Sequence, residues 1–299
     1  MKARNSLVLL LVLLMAGACA SEEEAHHAIT DYPNAQLLIE APELAELLQH
    51  DNILLIDARE EHSDSLIQGA IHFPAINELT DPDHPVENFL IGPEVFQEKM
   101  RQIGLSNNDR VVLYDGGNSL AAARLFYALD YYGFSNASIL NGGLSGWIAN
   151  DFSITNTPRT PEEGTFRFEI NEAVSCDIEY IMQAAEDPNK VIFDARSAAE
   201  FSGDDERAAR SGHIPNAVHL EWSEVLLEGD IPYFKPAADI QEMFTSKGIT
   251  PDKEVIPHCH TNVRGSHAYF TLRLMGYDSV RPYEGSWAEY GNREDAIIQ

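Results

Sequence analysis

The sequence predicts an α/β protein of two related domains, each a mainly parallel sheet flanked by helices. Three observations predict it. The chain repeats itself, each half alternates short apolar strands with helix-like stretches, and a Pro- and Thr-rich stretch separates the halves. Its 299 residues suit two domains of about 120 to 150 residues after a leading segment. A hydrophobic share of 44% supplies apolar side chains for two cores.

The repeat is read from five matches in the same order. Ile53 to Arg59 parallels Val191 to Arg196, both a short apolar run ending in Asp-Ala-Arg. Ala70 to Phe73 parallels Ala217 to Leu220, and Val111 to Asp115 parallels Val255 to Cys259. Tyr132-Gly133-Phe134 parallels Met275-Gly276-Tyr277, and Gly143 to Trp147 parallels Glu284 to Trp287. The spacing between matches drifts because the second half carries extra residues around Gly203 to Arg210. Continuous apolar runs bounded by loops are expected as buried parallel strands. Glu43 to Gln49, Leu120 to Tyr132 and Ile178 to Ala185 are expected as helices. These signals set the first domain at residues 35–150, a linker at 151–170 and the second domain at 171–299.

Residues 1–19 are expected to be an address. Lys2 and Arg4 precede an apolar run from Leu7 to Met15, and small residues lead to Cys19. The run is too short to span a bilayer. Cys19 after Ala16-Gly17-Ala18 resembles the lipobox of bacterial lipoproteins. That implies export to the periplasmic face of a membrane, an acyl anchor on Cys19 and a tether over residues 20–34; the alternative is ordinary cleavage near Ala18 or Ala20, no lipid and a soluble periplasmic protein. Several acyl chains hold a protein on a membrane where one is marginal.

Charge narrows the partners. Forty-eight acidic residues against 20 basic give a net charge of −28. Nucleic acid is excluded as a partner, because no basic surplus displaces counterions from phosphates. The only membrane contact expected is through the N-terminal lipid. An anionic substrate would need a locally built site of backbone N–H groups and a few arginines.

Such a site is legible at Cys259. A strand is expected to end near His258 and a helix to begin near Arg264, with Cys259-His260-Thr261-Asn262-Val263 between. N–H groups of a loop closing onto a helix N-terminus form an anion cradle and favour a thiolate. Arg264 adds fixed charge at the rim. His258 and His260 are expected not to bind a metal, since three adjacent positions do not converge on one ion. No metal or cofactor is expected. Cys176 receives no role. In the first half Asp115 stands where Cys259 stands and Leu120 where Arg264 stands, so that half lacks nucleophile and cation.

In order and content these segments resemble the rhodanese family. Asp194-Ala195-Arg196, Gly212-His213-Ile214-Pro215-Asn216-Ala217, the Cys259 to Arg264 loop and Tyr283-Glu284-Gly285-Ser286-Trp287 are similar to its signature segments. Asn216 replaces the family's usual Gly and tolerates the same positive φ. The Cys-His-Thr-Asn-Val-Arg loop is similar to the Cys-Gln-Thr-Gly-Val-Arg loop of bacterial thiosulfate sulfurtransferases. The resemblance implies a tandem rhodanese with an inactive first repeat. A Cys259 persulfide would carry sulfur from thiosulfate to cyanide or a thiol. Arg264, Arg196, His260, Thr261, Asn262 and Val263 would contact the anionic donor, and Glu200 would pair with Arg264.

Three other readings stay open. One is 3-mercaptopyruvate as donor, whose enzymes resemble a Cys-Gly-Ser-Gly loop. Another is a Cys-dependent phosphatase or arsenate reductase, whose loops hold five residues between Cys and Arg where this one holds four. The third is a non-catalytic sulfur-carrier or binding module.

Overall fold

The computed structural model describes residues 31–50, 52–61 and 65–299. The expected signal segment, Cys19 and most of the expected tether lie outside the described residues. Among the described residues no helix is long and apolar enough to cross a membrane.

The chain forms two α/β repeats. The strands of the first are β1 (Leu38–Ile39), β2 (Ile53–Asp57), β3 (Leu66–Ile67), β4 (Ile71–His72), β5 (Arg110–Tyr114), β6 (Ala137–Leu140) and β7 (Ile154–Thr155). The order β1-β6-β5-β2-β4 makes a five-stranded sheet, parallel throughout. β2 is buried along its whole length, which is why Ile-Leu-Leu-Ile reads as a continuous apolar run and not an alternating one. Its helices are α1 (Ala41–His50), α2 (Ala75–Glu78), α3 (Pro93–Gln102), α4 (Leu120–Tyr131) and α5 (Gly143–Ala149).

The second repeat is smaller in sheet. β8 (Lys190–Asp194) lies between β9 (Val218–His219) and β10 (Glu254–His258), all parallel. Single bridges Val255–Val280 and Cys176–Tyr283 continue the pairing. Its helices are α6 (Ile178–Ala184), α7 (Ala198–Ser202), α8 (Ala237–Ser246), α9 (Val263–Leu274) and α10 (Ser286–Tyr290). Register sets the site: His258 pairs with Asp194, so Cys259 emerges at the carboxyl end of the central strands.

The long helices α4 and α9 pack against each other across the repeat interface. α4 is buried from Ala121 to Leu129, as its nearly unbroken apolar sequence requires. Tyr127 meets Tyr269 edge-on with centroids 5.8 Å apart, and Phe126 meets Phe270 at 5.0 Å. Tyr269 donates to Asp130 at 2.5 Å, and Arg273 donates to the same carboxylate at 2.9 Å.

Two boundaries differ from the sequence reading. Residues 31–34, assigned to the tether, are docked: Tyr32 donates to the Lys235 carbonyl, and the Asn34 amide donates to the Arg273 carbonyl at 2.6 Å. The linker is no free connector either. β7 pairs with β3, and Phe166 is buried against Phe96 and Phe134. One isolated Phe gave no periodic signal there.

Candidate active site

The repeats exchange cover. A segment of the first, bridged Thr80 to Leu90, reaches the Cys259 loop: Asn88 lies 3.4 Å from the Thr261 hydroxyl and Leu90 N–H donates to Glu284 at 2.9 Å. A segment of the second, bridged Leu226 to Phe234, covers the Asp115 loop: Phe234 N–H donates to Asn141 at 3.0 Å. Tyr233 there fills space that only the bare backbone of Gly142 leaves, since a Cβ would lie 2.5 Å from its ring.

The Cys259 loop is bent by Asn262, which adopts φ 56°, ψ 13° and precedes the first turn of α9. Among the described residues, none accepts a hydrogen bond from the backbone N–H groups of His260 to Gly265. They are the free donors of a tight loop and a helix N-terminus, the setting in which anions bind. Ser266 closes the first helical bond by donating to the Asn262 carbonyl at 2.9 Å. Behind the loop, Cys259 N–H donates to the Ser286 hydroxyl at 3.3 Å and Trp287 N–H to the Cys259 carbonyl at 3.0 Å.

The first repeat shows what this geometry holds. Asp115, also at the end of a central strand, turns its carboxylate into its own loop. It accepts N–H bonds from Gly117 at 2.9 Å, Ser119 at 3.0 Å, Ala121 at 3.1 Å and Ala122 at 3.4 Å. Burial pushes its carboxyl up, and these four donors oppose the shift. The helix registers correct one expectation. α4 begins at Leu120 after left-handed Ser119, and α9 begins at Val263 after left-handed Asn262. The Asp115 loop is one residue longer, so Ala121, not Leu120, stands where Arg264 stands.

Cys259 is 1% exposed, yet its thiol is not enclosed by hydrocarbon alone. The Arg264 guanidinium lies near enough for its charge to interact with that of Cys259. Burial pulls the Arg264 guanidinium down, but Glu200 and Cys259 outweigh burial and hold it above its ordinary value. Glu200 accepts from both terminal nitrogens of Arg264, at 2.5 and 2.8 Å. Glu200 is itself fixed by a capping box with Ser197 at the start of α7. The expected pair is therefore present, in fork geometry.

The remaining predicted residues divide. Thr261 and Val263 lie half-buried on the rim with Arg264. His260 is buried and points toward Glu87, 3.7 Å away. Burial first, then Arg207, lowers its pKa and keeps the ring neutral. The Arg196 guanidinium is 1% exposed, grips Asp194 at 2.6 Å, donates to the Gly212 carbonyl at 2.9 Å and stacks over Trp287 at 4.3 Å. Its Nε and Nη2 donors serve the scaffold and hold the Gly212 loop. His258 faces Asp194 at 3.5 Å, away from His260's partner, and burial lowers its pKa. His213 Nδ1–H donates to the Phe201 carbonyl at 2.9 Å and its ring stacks on the Phe201 ring. Asn216 takes φ 62°. Cys176 is half-buried elsewhere, with its sulfur 3.6 Å from the Arg281 carbonyl and its thiol pushed up by burial.

Several site residues carried no sequence signal. Glu87, Asn88 and Arg124 come from the other repeat, and no spacing in the sequence links them to Cys259. Arg207 lies in the inserted stretch, 3.7 Å from Glu200. Only Arg124 could have been singled out, as the lone charge within Leu-Ala-Ala-Ala-Arg-Leu-Phe-Tyr-Ala-Leu.

Comparison with known proteins agrees with this geometry. Residues 40–150 and 177–293 each match the rhodanese-like domain. The chain belongs to the rhodanese family. It is 30% identical over 271 residues to a 3-mercaptopyruvate sulfurtransferase of Escherichia coli K12, covering 86% of this chain and 95% of that one. It is 29% identical over 271 residues to a thiosulfate sulfurtransferase of Pseudomonas aeruginosa, covering 90% and 98%. The crystal structure of the 3-mercaptopyruvate sulfotransferase SseA from Escherichia coli superposes with a TM-score of 0.75. The two are 28% identical, and the match covers 85% of this chain and 99% of that one. The α/β rhodanese fold in two domains is thereby established.

Proposed function

We propose that this rhodanese is a sulfurtransferase that carries sulfur from thiosulfate to a thiol or cyanide through a persulfide on Cys259. The observation that carries the reading is the row of N–H groups after Cys259, from His260 to Gly265, that no described residue accepts, with the Arg264 guanidinium held at the same loop by Glu200. The Cys259 thiolate attacks the outer sulfur of thiosulfate, a sulfur–sulfur bond breaks and sulfite leaves with the electron pair. The persulfide anion then yields its terminal sulfur to cyanide or a thiolate, and the Cys259 thiolate returns. Loop N–H groups stabilise negative charge on sulfur in both halves of the cycle.

Thiosulfate is favoured as donor by the loop itself. His260-Thr261-Asn262-Val263-Arg264 ends in a cation and lacks the Cys-Gly-Ser-Gly form tied to 3-mercaptopyruvate. The second reading, 3-mercaptopyruvate, is favoured by the similarity to the Escherichia coli sulfurtransferase of that name. Steady-state turnover with both donors decides between them, with Cys259→Ser as the inactive control. A higher kcat/KM for thiosulfate supports the first reading. Hydrolysis of an aryl phosphate without sulfur transfer would instead favour the phosphatase class. A labile sulfur that loads but never turns over would favour a carrier.

Export belongs to the same proposal. Residues 1–19 act as the address and Cys19 receives the lipid on the periplasmic face. Incorporation of labelled palmitate that disappears in Cys19→Ser supports it, and label retained in that variant refutes it.

A further inference from the structure

The second-repeat loop is tied to the first repeat at one carboxylate. Glu284 accepts from both terminal nitrogens of Arg124, at 2.7 and 3.1 Å, from Leu90 N–H at 2.9 Å and from the Asn262 amide at 2.6 Å. Arg124 also donates to the Asn88 carbonyl at 2.9 Å. All three side chains are buried. Three of the four donors to Glu284 therefore come from outside the loop, and the fourth is the residue whose left-handed backbone bends the loop. Asn262 Oδ1 takes the space that Gly265 leaves bare, where a Cβ would lie 2.3 Å away.

We propose that Arg124, carried by the repeat without a nucleophile, is a positioning residue for Cys259 chemistry, acting through Glu284 on Asn262. The inference rests on Cys259 being the sulfur-carrying residue. Its physical basis is the buried pair. Arg124 feels the Cys259 charge, and Glu284 lies two residues before Ser286, whose hydroxyl accepts the Cys259 N–H. Each charge of the pair is cancelled by its partner, so either one left alone acts on the thiol with little screening. The other charged groups around the thiol are Arg264 with Glu200, Arg207 at the rim, and the neutral rings of His258 and His260. The first repeat thereby supplies part of the loop's anchor from α4.

The test separates charge from position. Alkylation of Cys259 by neutral iodoacetamide at fixed pH, without any sulfur donor, reads thiolate availability by peptide-resolved mass spectrometry. Thiosulfate–cyanide turnover reads loop geometry. Glu284→Gln strands a cation near the thiol. It is expected to alkylate about tenfold faster than the parent while kcat falls several-fold, because the amide cannot accept from all four donors. Arg124→Gln strands an anion and is expected to alkylate about tenfold more slowly, again with reduced kcat. Arg124→Lys is expected to recover the alkylation rate but not kcat, since a point charge cannot span both carboxylate oxygens and the Asn88 carbonyl. Alkylation shifting in the same direction in Glu284→Gln and Arg124→Gln, or parental kcat in Arg124→Lys, would overturn the proposal. If Arg124→Gln does not fold, Glu284→Gln and Arg124→Lys still decide it. Failure of the wild-type protein to form a persulfide would sink the sulfurtransferase reading and leave the opposed alkylation shifts as a separate result.

Discussion

Asp115 and Cys259 end equivalent central strands, and the carboxylate of Asp115 fills its loop with four backbone hydrogen bonds where Cys259 leaves its loop's donors open. One architecture thus appears twice, closed by an internal carboxyl group in the first repeat and with its donors left open in the second. The closed copy shows that the loop geometry is one that gathers N–H groups onto negative charge.

That contrast predicts a purely structural role for Asp115. Asp115→Ala removes the acceptor of four buried donors and should lower stability by about 2 to 4 kcal/mol. Persulfide formation on Cys259 per folded molecule should persist. Urea titration and donor loading of the same preparation check both halves.

The Glu200–Arg264 pair gives a pH signature. Burial raises the Glu200 carboxyl, but hydrogen bonds from Arg264 dominate and hold it at about 2, below its ordinary 4.5. A depressed folded value means the pair's stabilisation is full above 4.5 and is lost as pH falls toward 2. Arg264→Met should strand a buried carboxylate, costing about 3 kcal/mol at neutral pH. Protonation relieves that carboxylate, so the stability gap to the parent should narrow as pH falls through this window. Denaturant midpoints across the window would show it. A gap that widens in acid would contradict the pairing.

Arg196 should separate from Arg264 by phenotype. Arg196→Met breaks the buried pair with Asp194 and the bond to the Gly212 carbonyl, for a loss of about 3 kcal/mol. The KM for thiosulfate of the folded fraction should stay near the parental value. A tenfold rise in KM without loss of stability would return Arg196 to the substrate site.

Gly265→Ala tests the seat of Asn262. The new Cβ would press on Asn262 Oδ1 and push the left-handed turn away from Glu284. Displacement on this scale lowers turnover on the order of a hundredfold. Overpacking this buried helix start should also lower stability, by about 1 to 3 kcal/mol. Full activity in this variant would mean that the turn tolerates displacement.

What the sequence revealed follows what is local in the chain. The repeat, the strands ending at Asp57, Tyr114, Asp194 and His258, and the Cys259 loop were all legible, because strand burial and helix starts write themselves into neighbouring residues. The Glu200–Arg264 pair was legible only through family resemblance. The Arg196–Asp194 pair was not legible, because a strand-end arginine beside a loop has the same sequence whether it faces substrate or the carboxylate two residues back. The extra residue in the Asp115 loop was invisible, since matching Asp115 to Cys259 gives no hint of where each helix begins. Arg124, Asn88 and Glu87 reach the site through tertiary docking, and no local pattern records that. Phe166 and Tyr32 likewise look like connector residues until the surface that buries them is in place.

The most direct test of the account is the mass of the Cys259 peptide after thiosulfate treatment under non-reducing conditions. The account predicts a gain of one sulfur atom on that peptide, absent in Cys259→Ser and discharged by cyanide as thiocyanate. No gain on the Cys259 peptide, or the added sulfur found on the Cys176 peptide instead, would contradict it.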